Sequence, residues 1–369
     1  MAKKRISKQE NISPREITVR YRGRGSQVWI YLGKLLRMFV YQSDWKVLPM
    51  SALIAALVGL VIRSRMFVSM EGTMMGSFAL VCVCVWNGCF NSIQVVCRER
   101  DVIKRQHRSG MHISSYVLSH MIYQVIICLL QTGILLYLTK KIGVRYPSAG
   151  VVTPWMIVDI GITMLLITYA SDMLSLWISS LTKSATTAMT VMPFVLIFQL
   201  VFSGGMIALP QWSKPISSFT ISSPGLKAIA AQADVNNKPF VTMTSMLNKI
   251  KDSEIEVHTK AGNILDMLEK SDDPEVKANM ALINAMPGNE EFRDKDVTFT
   301  TTVGDVLKIS GEKETKKMIE QRASEARYDE NYVQSKKNIS GYWMTLVGFA
   351  IFFAIMSMIT LEFIDKDKR

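Results

Sequence analysis

Long stretches without any charged side chain constrain this chain more than any other feature of its sequence. A spanning helix needs about 20 mainly apolar residues, because hydrocarbon cannot solvate charge. The chain is 49% hydrophobic and only 20% charged. We therefore expect an all-α polytopic membrane protein with six transmembrane helices, which excludes a soluble globular enzyme. The six segments are residues 47–62, 72–97, 109–139, 184–213 and 338–361, all free of charge, and residues 146–182, interrupted only by Asp159 and Asp172.

The distribution of basic residues predicts how these helices are oriented. Residues 1–46 contain eleven Lys and Arg against three acidic residues, and residues 98–108 contain five against two. Because basic loops stay on the cytoplasmic side, both segments should be cytoplasmic. Six spans then place the C-terminus inside as well and the polar block before the last span outside. We expect a multi-pass protein of the cell membrane, in the bacterial plasma membrane.

The chain divides into five predicted parts. Three prolines after the fifth span (Pro210, Pro215 and Pro224) favour a re-entrant segment at 207–232. The external insert should be mostly helical, with a short strand at Val297–Val303 and a charged helix from Gly311 to Lys337 that leads into span six. The parts are a basic cytoplasmic arm (1–25), an amphipathic helix (26–45), helices one to five (46–232), the external insert (233–337), and helix six with a short cytoplasmic tail (338–369).

Two cytoplasmic segments have helical character. Val28, Leu32, Leu35 and Phe39 recur on one face of a helix, with basic residues elsewhere on its surface. Such a helix lies in the membrane interface, either as a simple anchor or as part of a force-transmitting device. A second short helix is expected at 99–110, where Gly110 can adopt the left-handed conformation that ends a helix.

Several motifs together resemble one transporter family. The resemblance is to ABC-2-type permeases, specifically the G subfamily of ABC transporters (white and pleiotropic-drug-resistance types), and covers most of residues 26–230 plus span six. Gln106, where the family often has Glu, and the long insert depart from it. The motifs are Asn91-Ser-Ile-Gln94, Glu99-Arg100-x-Val102-x-x-Arg105, Ser109-Gly110-Met111, Ser115-Tyr116, Phe202-Ser203-Gly204, Trp212 and Ser223-Pro224-Gly225-Leu226-Lys227-Ala228.

The resemblance implies a connecting helix at residues 26–45 and a coupling helix at 99–110 that rests on an ATPase. The family's carboxylate at the foot of span two matches Glu99, and Lys34 or Arg37 on the connecting helix is the candidate partner. The residues expected to couple the chain to the ATPase are Glu99, Arg100, Ile103, Lys104, Arg105, Arg108 and Gly110.

The resemblance also implies that cargo passes between spans two and five of two facing protomers. Packing against neighbouring helices is the alternative role for the aromatic stripe of span five, and Gly205-Met206 replaces the bulkier pair of the family's hydrophobic valve. Asn87 and Asn91 should face a partner or a cavity, because polar groups are costly in lipid. The path residues by position are Trp86, Asn87, Phe90, Asn91, Phe194, Phe198, Phe202 and Met206.

Nothing in the sequence matches a nucleotide-binding motif. There is no G-x-x-x-x-G-K-[ST], so ATP and magnesium are expected on a separate ATPase subunit, and this chain should have no catalytic residues and no cofactor of its own. The histidines lack ligand spacing, so no metal site is expected. The other partners expected are a second permease chain, identical or different, and membrane lipid, but no nucleic acid.

These features favour the permease subunit of an ATP-driven exporter for an amphipathic lipid, drug or peptide. The alternative is a non-exporting peptide-sensing or immunity receptor whose external insert binds the ligand. Asp159 and Asp172 are either ion sites or buried structural hydrogen-bond acceptors, and thirteen residues of helix separate them by about 140°.

Overall fold

The computed structural model describes residues 23–41, 44–205, 210–269, 279–280, 282–284, 289–310, 312–325 and 329–363. The predicted basic arm therefore lies almost entirely outside the described residues. The first half of the chain is helical throughout its regular structure, with a single 3₁₀ turn at Asp44–Lys46. Its helices are α1 (Arg24–Tyr41), α2 (Val47–Ile62), α3 (Met70–Ser92), α4 (Val95–Arg108), α5 (Ile113–Ile142), α6 (Met156–Leu181) and α7 (Ala185–Val201).

The second half contains shorter elements and one further long helix. Single 3₁₀ turns lie at Gln211–Ser213, Val235–Asn237 and Glu330–Tyr332. The elements are α8 (Lys214–Ser217), α9 (Ser222–Gln232), α10 (Lys238–Ile250), β1 (Glu254–Lys260), α11 (Ala261–Glu269), α12 (Asn289–Arg293), β2 (Asp296–Thr302), α13 (Val303–Ser310), α14 (Glu312–Glu325) and α15 (Lys336–Glu362).

Four helices in the described part of the chain are long and apolar enough to cross a membrane, namely α3, α5, α6 and α15. The helices α2 and α7 are also apolar but shorter, with 16 and 17 residues. An all-α polytopic membrane protein, as predicted from the charge-free segments, is therefore the observed fold class. The predicted connecting helix ends earlier than expected, since α1 stops at Tyr41 and a 3₁₀ turn separates it from α2.

The centre of the bundle is the contact between α3 and α6. Small side chains allow the two backbones to approach closely, as is common between membrane helices. A Cβ atom on Gly88 of α3 would collide with the carbonyl oxygen of Thr168 and would lie 2.9 Å from the backbone nitrogen of Asp172. The last helix, α15, packs on the other side of α6, where Trp343 donates its indole N–H to Thr163 at 2.8 Å.

Asp159 in the first turn of α6 organises the preceding loop. Its two carboxylate oxygens accept backbone N–H bonds from Val151, Val152 and Thr153 at 2.7–2.9 Å. Of the two roles that the sequence allows for Asp159, the structure shows the buried structural acceptor. Asp172 is deeper in the bundle and fully buried, and its Oδ2 atom lies 4.0 Å from the Cys128 thiol.

The insert and the helices α1 and α4 lie at opposite ends of the bundle. At one end, Lys238 at the start of α10 donates to the carbonyl oxygen of Phe67, just before α3 begins. At the other end, α4 contacts the C-terminal residues of α6. This arrangement matches the opposite faces predicted for the basic loop and the polar insert.

The insert holds more than the predicted strand. The strand expected at Val297–Val303 is present as β2, but it pairs antiparallel with β1, which the sequence interpretation did not predict. The expected charged helix from Gly311 to Lys337 is wrong, since α14 ends at Glu325 and α15 begins only at Lys336. The interruption is explained at Asp329, whose side chain accepts from the backbone of Asn331 and so competes with continuation of the helix.

Substituting Gly88→Ala should destabilise the bundle by about 1–3 kcal/mol, because the added methyl group forces α3 away from α6. Gly133→Ala is the matched control, since a Cβ there meets no atom within 4 Å and the exposed helical position gains about 0.5–1 kcal/mol of helix preference. Thermal unfolding of both purified variants measures the difference. Equal melting temperatures would contradict the close α3–α6 approach.

Candidate functional site

The residues predicted to couple the chain to an ATPase surround helix α4, whose N-terminus is anchored by another helix. The Gln94 side chain does not cap this terminus. Instead, the Ser179 hydroxyl of α6 accepts hydrogen bonds from the backbone N–H groups of Val96 and Cys97, at 3.1 and 3.2 Å. The cap explains why α4 begins at Val95, four residues before the predicted start at Glu99, since its first free N–H groups are satisfied there.

Arg100 of α4 makes a second set of hydrogen bonds to α6. Its Nη1 atom donates to the carbonyl oxygens of Ser180 and Thr182, at 2.9 and 3.0 Å. These carbonyls lie at the C-terminal end of α6, where a cation is favoured by the helix dipole. Each of the two helices therefore provides hydrogen-bond partners for the unpaired backbone groups at the end of the other. We expect α4 and α6 to move together for this reason.

The connecting helix α1 contacts α4 through an ion pair. The Lys34 ammonium lies 3.2 and 3.1 Å from the two carboxylate oxygens of Glu99. The pair is partly shielded, with side-chain exposures of 35% and 19%. Of the two candidate partners for Glu99, the structure thus pairs it with Lys34, while Arg37 is exposed on the same helix.

A second polar contact joins the same two helices, one turn before Lys34 on α1 and two turns after Glu99 on α4. The Tyr31 hydroxyl donates to Oε1 of Gln106 at 3.3 Å. Partial burial, and secondarily the negative charge of Glu99, raise the pKa of Tyr31 above its usual value. The phenol therefore remains protonated and available as a donor at any physiological pH.

Gly110 ends the α4 region with the left-handed backbone predicted for it. Its φ angle is +97°, and the N–H of Met111 donates to the carbonyl of Gln106 in the manner of a helix C-cap. Gln27 of α1 clamps this turn, donating to the Gly110 carbonyl and accepting from the N–H of His112. The start of α1, the end of α4 and the start of α5 thus form one hydrogen-bonded unit.

Of the other predicted coupling residues, some are buried within this unit and others are exposed on its surface. Ile103 is completely buried and packs in the main core, whereas Lys104 is half-buried. The outer face of α4 is charged and mainly basic. Its exposed charged side chains are Arg98, Asp101, Arg105 and Arg108.

The predicted path residues on α3 and α7 fall into two groups. The aromatic ones face outward from the bundle, and Trp86 and Phe90 stack with ring centroids 5.1 Å apart. Phe202 is half-buried, its ring centroid 5.0 Å from that of Phe198. Met206 lies outside the described residues. The exposed fractions are 43% for Trp86, 40% for Phe90, 70% for Phe194 and 40% for Phe198.

The two asparagines of α3 face partner helices rather than lipid. Asn87 is buried and donates to the Ser51 hydroxyl of α2 at 3.0 Å. Asn91 and Gln131 of α5 exchange a reciprocal pair of amide hydrogen bonds, at 2.9 and 3.0 Å. These contacts show polar packing between helices at both positions, and Asn91 also lines a cavity.

The cavity has a volume of about 730 Å³ and lies at the α1 and α4 end of the bundle. It is lined by residues of α1, α2, α3, α4, α5 and α7 and by the turn at Ile93 and Gln94. Phe90 of α3 and Met189 of α7 both border it, and at the other end of α7 the backbone of Gly205 approaches Phe78. The antiparallel helices α3 and α7 therefore lie side by side.

Sequence reasoning missed several residues that hold this region together. Gln27, Tyr31 and Ser179 make contacts between helices that are distant in sequence. No local pattern marks Ser179 as a cap, because its role depends on the packing of α4 against α6. Gln27 and Tyr31 were detectable only as polar positions beside the apolar stripe of α1.

A double-mutant cycle on Lys34→Gln and Glu99→Gln should give a coupling of about 0.5–1 kcal/mol in the unfolding free energy, as expected for a partly exposed ion pair. Arg37→Gln is the matched control, since this exposed residue of the same helix should combine additively with Glu99→Gln. Denaturation of the purified unmodified chain, the three single variants and the two double variants provides the measurement. A coupling of Glu99 to Arg37 that equals its coupling to Lys34 would contradict the pairing.

A comparison with known protein families gives a match that covers more than half of the chain. The model of the ABC-2 type transporter family matches residues 12–230, which is more than half of the chain. A search of curated proteins gives no match. The matched segment includes α1 to α8 and most of α9, and therefore the whole α1, α4 and α6 unit described above. The chain belongs to the ABC-2 type transporter family and is a transmembrane component of an ABC-type transporter.

Proposed function

We propose that this chain is the permease subunit of an exporter of the G-subfamily type, driven by ATP and magnesium bound to a separate ATPase subunit. Two permease chains, identical or different, face each other in the cell membrane with both termini in the cytoplasm. The cargo is an amphipathic lipid, drug or peptide. Alternating access of the two chains moves it outward, and this chain has no catalytic residues of its own.

The observation that carries the proposal is the double attachment of α4. The helix is joined to α6 by Ser179 and Arg100 and to α1 by the Lys34–Glu99 ion pair. Its remaining face is charged and exposed, as a contact surface for a soluble domain would be. A push on that face is transmitted to the connecting helix and to the centre of the bundle at once, because neither attachment leaves α4 free to slide.

The outward aromatic face supports a path between two permease chains. Phe194 and Phe198 of α7 and Trp86 and Phe90 of α3 cover adjacent helices with apolar surface. Rigid aromatic rings provide contact area for an apolar cargo. Asn87 and Asn91 would then support the path from behind through their contacts with α2 and α5.

A photo-crosslinking amino acid at position 105, in the full chain in its native membrane, should capture a protein that contains the G-x-x-x-x-G-K-[ST] motif. The reason is that Arg105 projects from the exposed face of α4. Mass spectrometry of the crosslinked band identifies the captured sequence.

Position 65 provides the control for this experiment, because Arg65 is exposed at the opposite end of the bundle. Capture of the same ATPase from both positions would mean non-specific contact. Failure to capture any nucleotide-binding protein at position 105 would refute the coupling role of α4.

Deleting the insert can distinguish the receptor alternative from export. The deletion is feasible because the two ends of the insert lie close together. The Asn236 side chain donates to the carbonyl of Asp329 and accepts from its N–H, at 3.0 and 3.3 Å. The insert can therefore be replaced between residues 240 and 327 by a short Gly-Ser linker without separating α9 from α15.

We expect proteoliposomes holding this shortened chain and the captured ATPase to retain ATP-dependent movement of a fluorescent phospholipid, at a level within a few-fold of the full chain. Export depends on the membrane helices, whereas sensing depends on the insert. Glu99→Lys in the full chain is the matched loss-of-coupling variant. Loss of ATP-dependent movement in the shortened chain, with ATPase binding preserved, would favour the receptor.

A further inference from the structure

The two-stranded sheet of the insert leaves one edge of β1 without a strand beside it. β1 pairs with β2, and no other strand among the described residues joins the sheet. The residues along β1 are alternately exposed and half-buried. An isolated pair of strands is only marginally stable, and an open strand edge is a template for pairing with a further strand.

The hydrogen bonds at the two ends of β1 show which of its backbone groups point away from β2. Ala261 donates its N–H to the carbonyl of Lys295 at 2.9 Å, and Ser253 accepts from the N–H of Val303 at 3.1 Å. Every second residue of an antiparallel strand bonds to the same neighbour, so the odd-numbered residues of β1 pair with β2. The even-numbered residues therefore direct their N–H and C=O groups to the open edge.

The side chains of these even-numbered residues share one face of β1 and are all exposed. They are acidic in the first half of the strand, at Glu254 and Glu256, and basic in the second half, at His258 and Lys260. Charges of a single sign would oppose the pairing of two such edges. This order instead brings each acidic half to a basic half when a second copy of β1 runs in the opposite direction.

Antiparallel pairing of two copies centred on Val257 makes this match complete. Glu254 then lies opposite Lys260 of the second copy, and Glu256 lies opposite His258 of the second copy. Each pair occurs twice, because a two-fold contact uses the same surface on both chains. Opposite charges directly across two strands are stabilising, and like charges are destabilising.

The neighbouring registers lose this complementarity. A centre at Ile255 places Glu254 opposite Glu256, and a centre at Glu256 places that residue opposite its own copy. A centre at His258 leaves Glu254 beyond the end of the second strand and sets the two imidazoles against each other. A centre between two residues brings outward backbone groups against inward ones, so it forms no ladder.

The open edge of β2 does not offer the same match. Its outward residues are Asp296 and the threonines at 298, 300 and 302, without any basic side chain. Pairing β1 of one chain with β2 of another would be a head-to-tail contact that leaves an edge open at each end. Pairing of β1 with β1 closes as a dimer, so the identical strand is the better occupant.

We propose that the β1 edges of two identical chains pair antiparallel with Val257 on the two-fold axis, forming a four-stranded sheet between two inserts. The inference builds on the proposed function, in which two permease chains face each other, by naming an identical chain as the partner. The two proposals fail separately. Pairing of the inserts needs neither ATP nor α4, and capture of an ATPase at position 105 needs no pairing of the inserts.

Cysteine crosslinking of the full chain in its native membrane tests this register. Residues opposite each other at a non-hydrogen-bonded position have Cα atoms about 4.5 Å apart, which a disulfide can span. Val257→Cys should therefore form a disulfide-linked dimer after oxidation with copper phenanthroline. The native cysteines, four buried and one half-buried, stay in place, and the unmodified chain measures their background.

Thr259→Cys is the matched control on the same strand. Its two copies would lie four residues apart along the sheet, about 13 Å, so we expect at least tenfold less dimer than with Val257→Cys. Co-expression of Ile255→Cys and Thr259→Cys chains carrying different tags should restore crosslinking between the two tags, because these positions face each other. Equal dimer from Val257→Cys and Thr259→Cys, or a crosslink from position 257 to another protein, would overturn the proposal.

A charge exchange in the Val257→Cys chain tests the recognition itself. Glu254→Lys leaves the contact of Lys260 with Asp294 in place but sets two ammonium groups against each other, so dimer should fall several-fold. Adding Lys260→Glu should restore it. Glu320→Lys, an equal charge change on the exposed surface of α14, should have no effect. Unchanged dimer in Glu254→Lys, or no recovery in the exchanged chain, would contradict the pairing of these edges.

Discussion

The mutual capping of α4 and α6 is the interaction on which the rest of this end of the molecule depends. A helix that begins close to the membrane leaves N–H groups unpaired, and a helix that ends there leaves carbonyls unpaired. Ser179 satisfies the first need and Arg100 the second. Hydrogen bonds to charged groups contribute about 1.5–3 kcal/mol, so the Arg100 contact holds the two ends firmly. The position of α4, and hence of its charged outer face, follows from this exchange.

Because α3 and α6 approach each other closely, a displacement of α4 is transmitted to the middle of the bundle. Gly88 brings the backbones of the two helices together in the middle of the bundle, and α4 continues from α3 after a short turn at Ile93 and Gln94. A displacement of α4 therefore acts on α3 through the chain and on α6 through the caps. Interiors packed at this density transmit displacement rather than absorb it. The asparagines of α3 extend the same connection to α2 and α5.

Each of the six charge-free or nearly charge-free segments contains an apolar helix, and four of these helices are long enough to cross a membrane. The sequence allowed this prediction because lipid imposes a rule that can be read one residue at a time. A charge-free run of sufficient length has few alternatives to a helix, and Gly110 likewise has a local reason for its left-handed backbone. The candidate partners of Glu99 were also found, but the choice of Lys34 over Arg37 required the rotation of α1 against α4. Ser179 carried no local signal, since its role as a cap arises only when α4 and α6 meet.

The insert shows a different kind of failure, in which a readable signal was overlooked. Glu254–Lys260 alternates polar and apolar residues with Ile255 and Val257 on one side, which is the period of a strand. Its partner β2 was predicted as a short strand at Val297–Val303, yet a strand needs a neighbour to satisfy its backbone. The recognised strand thus required a second one, and the alternating segment was the suitable candidate. The need to pair backbone N–H and C=O groups can therefore complete a secondary-structure assignment that residue patterns leave incomplete. This holds for β1 in the insert, and the same need explains the contacts at the ends of α4 and α6.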